Sequence, residues 1–261
     1  MAFYDLSKEQ RVLLAEQINS EILEGIQQQQ VNRIVTYCSD EDTYIRKTAY
    51  LAVGRIYKKN PELQPAILKV LEMLFQSEEE KIRQTVVNAA GEIGMRTFEV
   101  VESFFDKGLF DPHHSVRNAV IGSLKKMSEK NPQPVLRWAK NYLHHEDKEI
   151  RREICHGIEL RGRTHPQEIL PLLKELQFDP TARVKKTLIH VLGQIAYKKG
   201  CLETVMENLI FWENKELVLL AIDEIVDVHE RYKKFSVLTQ EQAIAYIQQI
   251  LDREQIIKIQ G

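Results

Sequence analysis

Arg152, His156, Arg161, Arg163, Lys186 and His190 lie close together in the chain and share one chemistry. Guanidinium and ammonium groups bind phosphate and carboxylate, arginine through paired N–H donors and lysine as a point charge. Imidazole adds a donor whose charge changes near neutral pH. The surrounding sequence is basic as well. Residues 111–200 hold 17 Lys+Arg against 10 Asp+Glu, net +7, whereas the remainder holds 19 against 28, net −9. The overall charge of −2 hides this division, and seven of the eight histidines fall in the basic segment. A localised basic segment predicts an acidic partner. DNA or RNA is the first expectation and an acidic protein the second.

Other chemistries lack their residues. The sequence contains no Gly-rich phosphate loop, no GxGxxG, no HExxH and no GxSxG. His113-His114 and His144-His145 are adjacent pairs, a poor spacing for one ion. Cys38, Cys155 and Cys201 are far apart and odd in number, without CxxC spacing. No metal, no cofactor and no disulfide framework is therefore expected, and a reducing, cytoplasmic location is. The N-terminal MAFYDLSKEQR lacks a basic stretch followed by an apolar run. No apolar run approaches the ~20 residues needed to cross a bilayer, so no membrane partner is expected.

The elements that position these residues follow from a repeat. The segments DTYIRKTAYLAVGRI, EEKIRQTVVNAAGEI, HHSVRNAVIGSLKKM, DKEIRREICHGIELR, TARVKKTLIHVLGQI and NKELVLLAIDEIVDV align on Arg46, Arg83, Arg117, Arg151, Lys185 and Leu219. The first spacing is 37 and the next four are 34. Relative to the anchor, positions −1, +3 and +7 are apolar in all six segments, a helical spacing that predicts one buried face. Positions +1 and +5 then look outward and carry Arg152, His156, Lys186 and His190. Shorter helical patterns such as PVLRWAKNYL and EILPLLKELQF separate the anchor segments. The fourth segment departs: Gly157 stands at +6 and Arg161 replaces the apolar residue at +10. Its helix is predicted to end early, with RGR turning away near Gly162.

DPHHSVRNAV and DPTARVKKTL resemble the HEAT-repeat pattern of Asp-Pro followed by Val-Arg and an apolar helix. That resemblance implies an all-α, HEAT-like α-α superhelix, an armadillo-type solenoid of about six helical hairpins. The repeats span about 29–233, with capping helices at about 7–26 and 239–257, in a single domain over 1–261. It also implies that the anchor arginines bond to turn carboxylates or carbonyls of neighbouring repeats. Residues 138–199 further resemble the HEAT-like DNA-alkylation-repair family, through RWAKNYLH, IRREICHGIELRGR and ILPLLKELQFDPTARVKKTLIHVLGQIAYKKG. This second resemblance implies a DNA-binding groove, with Arg151, Arg152, Arg161 and Arg163 on phosphates. In some members it implies excision of alkylated purines. No paired tryptophan followed by Asp is found, so no catalytic group is placed; Asp223, Glu224 and Asp227 after Trp212 are the acidic candidates. The leading expectation is a non-catalytic binding protein. An alkylated-base DNA glycosylase is the first alternative and a protein scaffold the second.

Overall fold

The computed structural model describes residues 3–260, with side chains described through residue 253. Among the described residues every regular element is helical. The chain divides into two compact units, Met1–Pro134 and Val135–Gly261.

The first unit contains α1 (Lys8–Gln27), α2 (Val31–Cys38), α3 (Thr43–Lys59), α4 (Gln64–Phe75), α5 (Glu80–Gly94), α6 (Glu102–Gly108) and α7 (His114–Lys130). α3, α5 and α7 carry the first three anchors and pack on one another in sequence. α2, α4 and α6 form a second layer, each packed on the anchor helix that follows it, and α1 packs on α2 and α3. The anchor helices approach closely where Gly91 faces the next helix. A Cβ there would stand 2.4 Å from the Ser123 hydroxyl oxygen.

The second unit begins within α8 (Pro132–Lys140) and continues with α9 (Lys148–Gly157), α10 (Glu159–Gly162), α11 (Pro166–Lys174), α12 (Ala182–Ala196), α13 (Cys201–Leu209), α14 (Lys215–Arg231) and α15 (Gln240–Gln260). α9, α12 and α14 form its anchor layer, while α11, α13 and α15 pack in the other. The fourth anchor helix does not run on to Gly162, as its periodicity predicts. It stops at Gly157, with Ile158 as C-cap, and resumes for one turn as α10. Ile158 itself stays fully buried, so the break leaves the +7 contact in place.

The repeated apolar face is buried at every −1, +3 and +7 position except Ile45, Ile222 and Val226. Two of these exceptions lie in α14, and they correct the register. Asp42, Glu79, His113, Asp147 and Thr181 are the N-caps of the first five anchor helices, each four residues before its anchor. Asn214 caps α14, which makes Val218 the last anchor, at a spacing of 33. In that register −1, +3, +7 and +10 are Leu217, Ala221, Ile225 and Val228, all buried. Leu219 is 61% exposed, and Asp223 is an exposed, outward residue at +5.

The anchor arginines do structural work inside each unit. Arg83 donates to the turn carbonyls of Ser77 (2.8 Å) and Glu78 (3.0 Å) and pairs through two nitrogens with Asp111 of the next turn (2.8 and 3.0 Å). Arg151 repeats the pattern on His145 (2.7 Å), Glu146 (2.9 Å) and Asp179 (2.5 and 3.3 Å). Each guanidinium thus satisfies carbonyls that a tight turn leaves without helical partners. The aspartate of Asp-Pro is the residue that receives it.

Candidate functional site: a cationic groove over buried carboxylates

α9 and α12 pack side by side, so their outward positions +1 and +5 fall in adjacent rows. Arg152, His156, Lys186 and His190 come together there, joined by Arg183 and Thr187, around an open groove of about 260 Å³. The two imidazole rings meet edge to face with centroids 6.0 Å apart. These four sequence-predicted residues share one site.

Arg163 and Arg161 diverge. Arg163 extends the same cluster from the end of α10. It donates to Glu159, to Gln194 (2.8 Å) and to the Tyr197 hydroxyl (3.3 Å), with its guanidinium over the Tyr197 ring. Arg161 stands apart and is held by both oxygens of Glu168 in α11, at 3.0 and 2.6 Å. The Arg161 guanidinium on Glu168 keeps that carboxyl below the usual carboxylate range. The helix break explains the separation, because α10 sets its own face against α11 and α12.

Beneath the groove lies an acidic layer that the sequence reading missed. Glu153 and Glu159 are almost completely buried, at 3% and 2% exposure. Arg152 bridges Glu149 (2.9 Å) and Glu153 (3.4 Å), and Arg183 reaches Glu149 at 3.0 Å. Nε2 of His156 lies 3.2 Å from Glu159, and Nδ1 of His190 lies 3.7 Å from Glu224. Arg152, Arg163 and Arg183 are thus paired with Glu149, Glu153 and Glu159. The half-buried Arg152 and Arg163 are held in place, while Arg183 and Lys186 are exposed. The Lys186 side chain makes no hydrogen bond or ion pair among the described residues. A signal for the acids was present in the repeat. Glu153 stands at +2, where other segments have Thr48, Thr85, Ala119 and Thr187; Glu159 stands at +8, where three segments have Gly54, Gly91 and Gly193.

Trp212 is fully buried and its indole N–H donates to Asn208 at 2.9 Å. Glu224 and Asp227 both hold Arg231, and Asp223 is exposed. The three cysteines are buried and free, and burial pushes the Cys38 thiol up to about 12. No described helix is long and apolar enough to cross a membrane.

No family model and no curated protein matches the chain. Solved structures do. AlkD2 from Streptococcus mutans is similar with a TM-score of 0.56, at 19% identity over 74% of this chain and 96% of that one. The MAST/Orbit N-terminal domain is similar with a TM-score of 0.51, at 16% identity over 75% of this chain and 96% of that one. The fold is HEAT-like. At these identities the likeness is one of architecture, and it leaves the ligand to be argued from the groove.

Proposed function

We propose that the protein is a non-catalytic HEAT-like binding module whose α9–α12 groove engages a phosphate-bearing partner, nucleic acid before acidic protein. The observation that carries this reading is the convergence of Arg152, His156, Arg183, Lys186 and His190 on one open groove with no large apolar residue in its lining. Protein-binding sites are anchored by buried aromatic and aliphatic side chains, whereas phosphate sites are built from guanidinium, ammonium and imidazole donors. Arg183 and Lys186 are the groups placed to meet phosphate directly. Arg152 and Arg163, already oriented by carboxylates, contribute field and shape. The reading sets the protein in the cytoplasm, as its free thiols suit.

The test is fluorescence anisotropy with duplex DNA, single-stranded DNA and RNA at two salt concentrations. Changing Arg183 and Lys186 together to alanine is expected to weaken binding by similar factors for different sequences. The salt slope should fall by roughly 0.9 per lost duplex contact. Absence of any affinity for all three probes at about 50 mM salt, the low end of such titrations, would sink the nucleic-acid reading and leave the groove to an acidic protein. A protein scaffold has one observation in its favour: Phe178 and Phe211 are 64% and 66% exposed at equivalent turn positions, seven residues before Lys185 and Val218.

A further inference from the structure

We infer that His156, Glu159 and His190 form a binding site for a borderline first-row divalent cation, of which Zn2+ is the representative. Sequence spacing gives no hint of it, because His190 lies one repeat away from the other two. The helix break brings them together. After Ile158 the chain turns into α10, and Glu159 is buried on the groove floor where it meets Nε2 of His156. α12 supplies His190 from the neighbouring row. One ligand atom from each residue lies within 4.8 Å of the others.

The geometry and the chemistry of the donors agree. Zn–N and Zn–O bonds of ~2.0–2.1 Å in a tetrahedron separate two ligand atoms by about 3.3 Å. The His156 Nε2 to Glu159 Oε2 separation is 3.2 Å. Bringing His190 to the same separation takes a side-chain adjustment of at most about 1.5 Å from the 4.8 Å limit. Two imidazoles and one carboxylate favour Zn2+ or its first-row neighbours over Mg2+ and Ca2+, which require all-oxygen shells. The outer partners are also in place. Arg163 donates to the second oxygen of Glu159 and fixes that carboxylate. Glu224 sits 3.7 Å from Nδ1 of His190, a carboxylate able to hold one imidazole nitrogen and leave the other to a metal. Three protein ligands leave a fourth position, and His156 and His190 both line the open groove, so that position faces it.

The inference does not rest on nucleic-acid binding, and its test contains no nucleic acid. Isothermal titration of the full chain with Zn2+ alone should give a single bound ion. Co2+ in its place should produce the visible ligand-field bands of a four- or five-coordinate nitrogen–oxygen site. His156→Ala and His190→Ala should each weaken Zn2+ binding at least tenfold. Glu159→Gln should do the same, with circular dichroism confirming its helices. Added Zn2+ should raise the melting temperature of the native chain and not that of the His156→Ala/His190→Ala double variant. Zn2+ binding that survives in the double variant would overturn the site, since the His113-His114 or His144-His145 pairs would then be responsible. So would a lack of Zn2+ binding by the native chain, or Mg2+ and Ca2+ competing with Zn2+ on equal terms.

Discussion

Arg151 and Lys185 occupy the same repeat position, yet their surroundings differ. Arg151 donates to two carbonyls, to both oxygens of Asp179 and to Thr181 at 3.1 Å, with its side chain 12% exposed. The Lys185 side chain makes no hydrogen bond or ion pair among the described residues. Arg151→Ala takes the donors from two turn carbonyls and leaves the buried Asp179 carboxylate without its cation, and is expected to cost about 3 kcal/mol. Lys185→Ala should cost less than ~0.5 kcal/mol, as an ordinary surface change does. Urea titration measures both, and equal shifts in midpoint would refute the difference. The arginines' partners were legible from the Asp-Pro turns of the repeat, and so was the grouping of Arg152, His156, Lys186 and His190. The acids beneath them were not read. A glutamate on an amphipathic helix is expected to be solvated, and only comparison across repeats marks Glu153 and Glu159 as standing in places that most other repeats keep small.

At the scale of the element, α14 shows how one missing residue changes a helix. A helical residue advances by about 100°, so moving the anchor from Leu219 to Val218 exchanges a buried position for an exposed one. Ile225→Asp, at the +7 position only when Val218 is the anchor, places an uncompensated charge in the core and is expected to destabilise by ~3 kcal/mol or more. Val226→Asp, at the half-buried position that a spacing of 34 would make +7, should cost clearly less. Thermal melts followed by circular dichroism decide between them, and the reverse order would restore the uniform spacing of 34. The sequence concealed this register because LVLLAI offers an apolar residue to either alignment. The N-cap at Asn214 resolves it. α9 is a second such case: glycine at +6 signalled an interruption, but the one-turn recovery as α10 depends on packing against α11 and α12, which no local pattern encodes.

Across the whole molecule, one Arg–Asp pair of the same design stands in each unit, Arg83–Asp111 and Arg151–Asp179. Burial raises both aspartates, but hydrogen bonds from the arginines and from backbone N–H groups outweigh it, and both carboxyls lie below their ordinary value. Groups depressed in the folded state stabilise fully above the unfolded value of about 3.9, and their contribution disappears as pH falls through the lower folded value. Stability should therefore decline steeply below pH ~4. The Asp111→Asn/Asp179→Asn double variant should be less stable at neutral pH and show a shallower acid limb. Urea midpoints measured from neutral pH downward test this, and an unchanged acid limb would remove the two pairs from the account. That residues 1–261 behave as one domain remains our proposal, which a single cooperative transition in the same titrations would support.

The spacing of 33 before α14 has a use for anyone who would lengthen or shorten this array. Segments cut to a constant 34 residues would carry α14 into a new context turned by a hundred degrees, with Ile222 and Val226 brought to the core positions and Ala221 and Ile225 moved off them. The interchangeable module runs from N-cap to N-cap: 147 to 181, 181 to 214. A chimera joined at those residues keeps every apolar row in line, whatever its length between them.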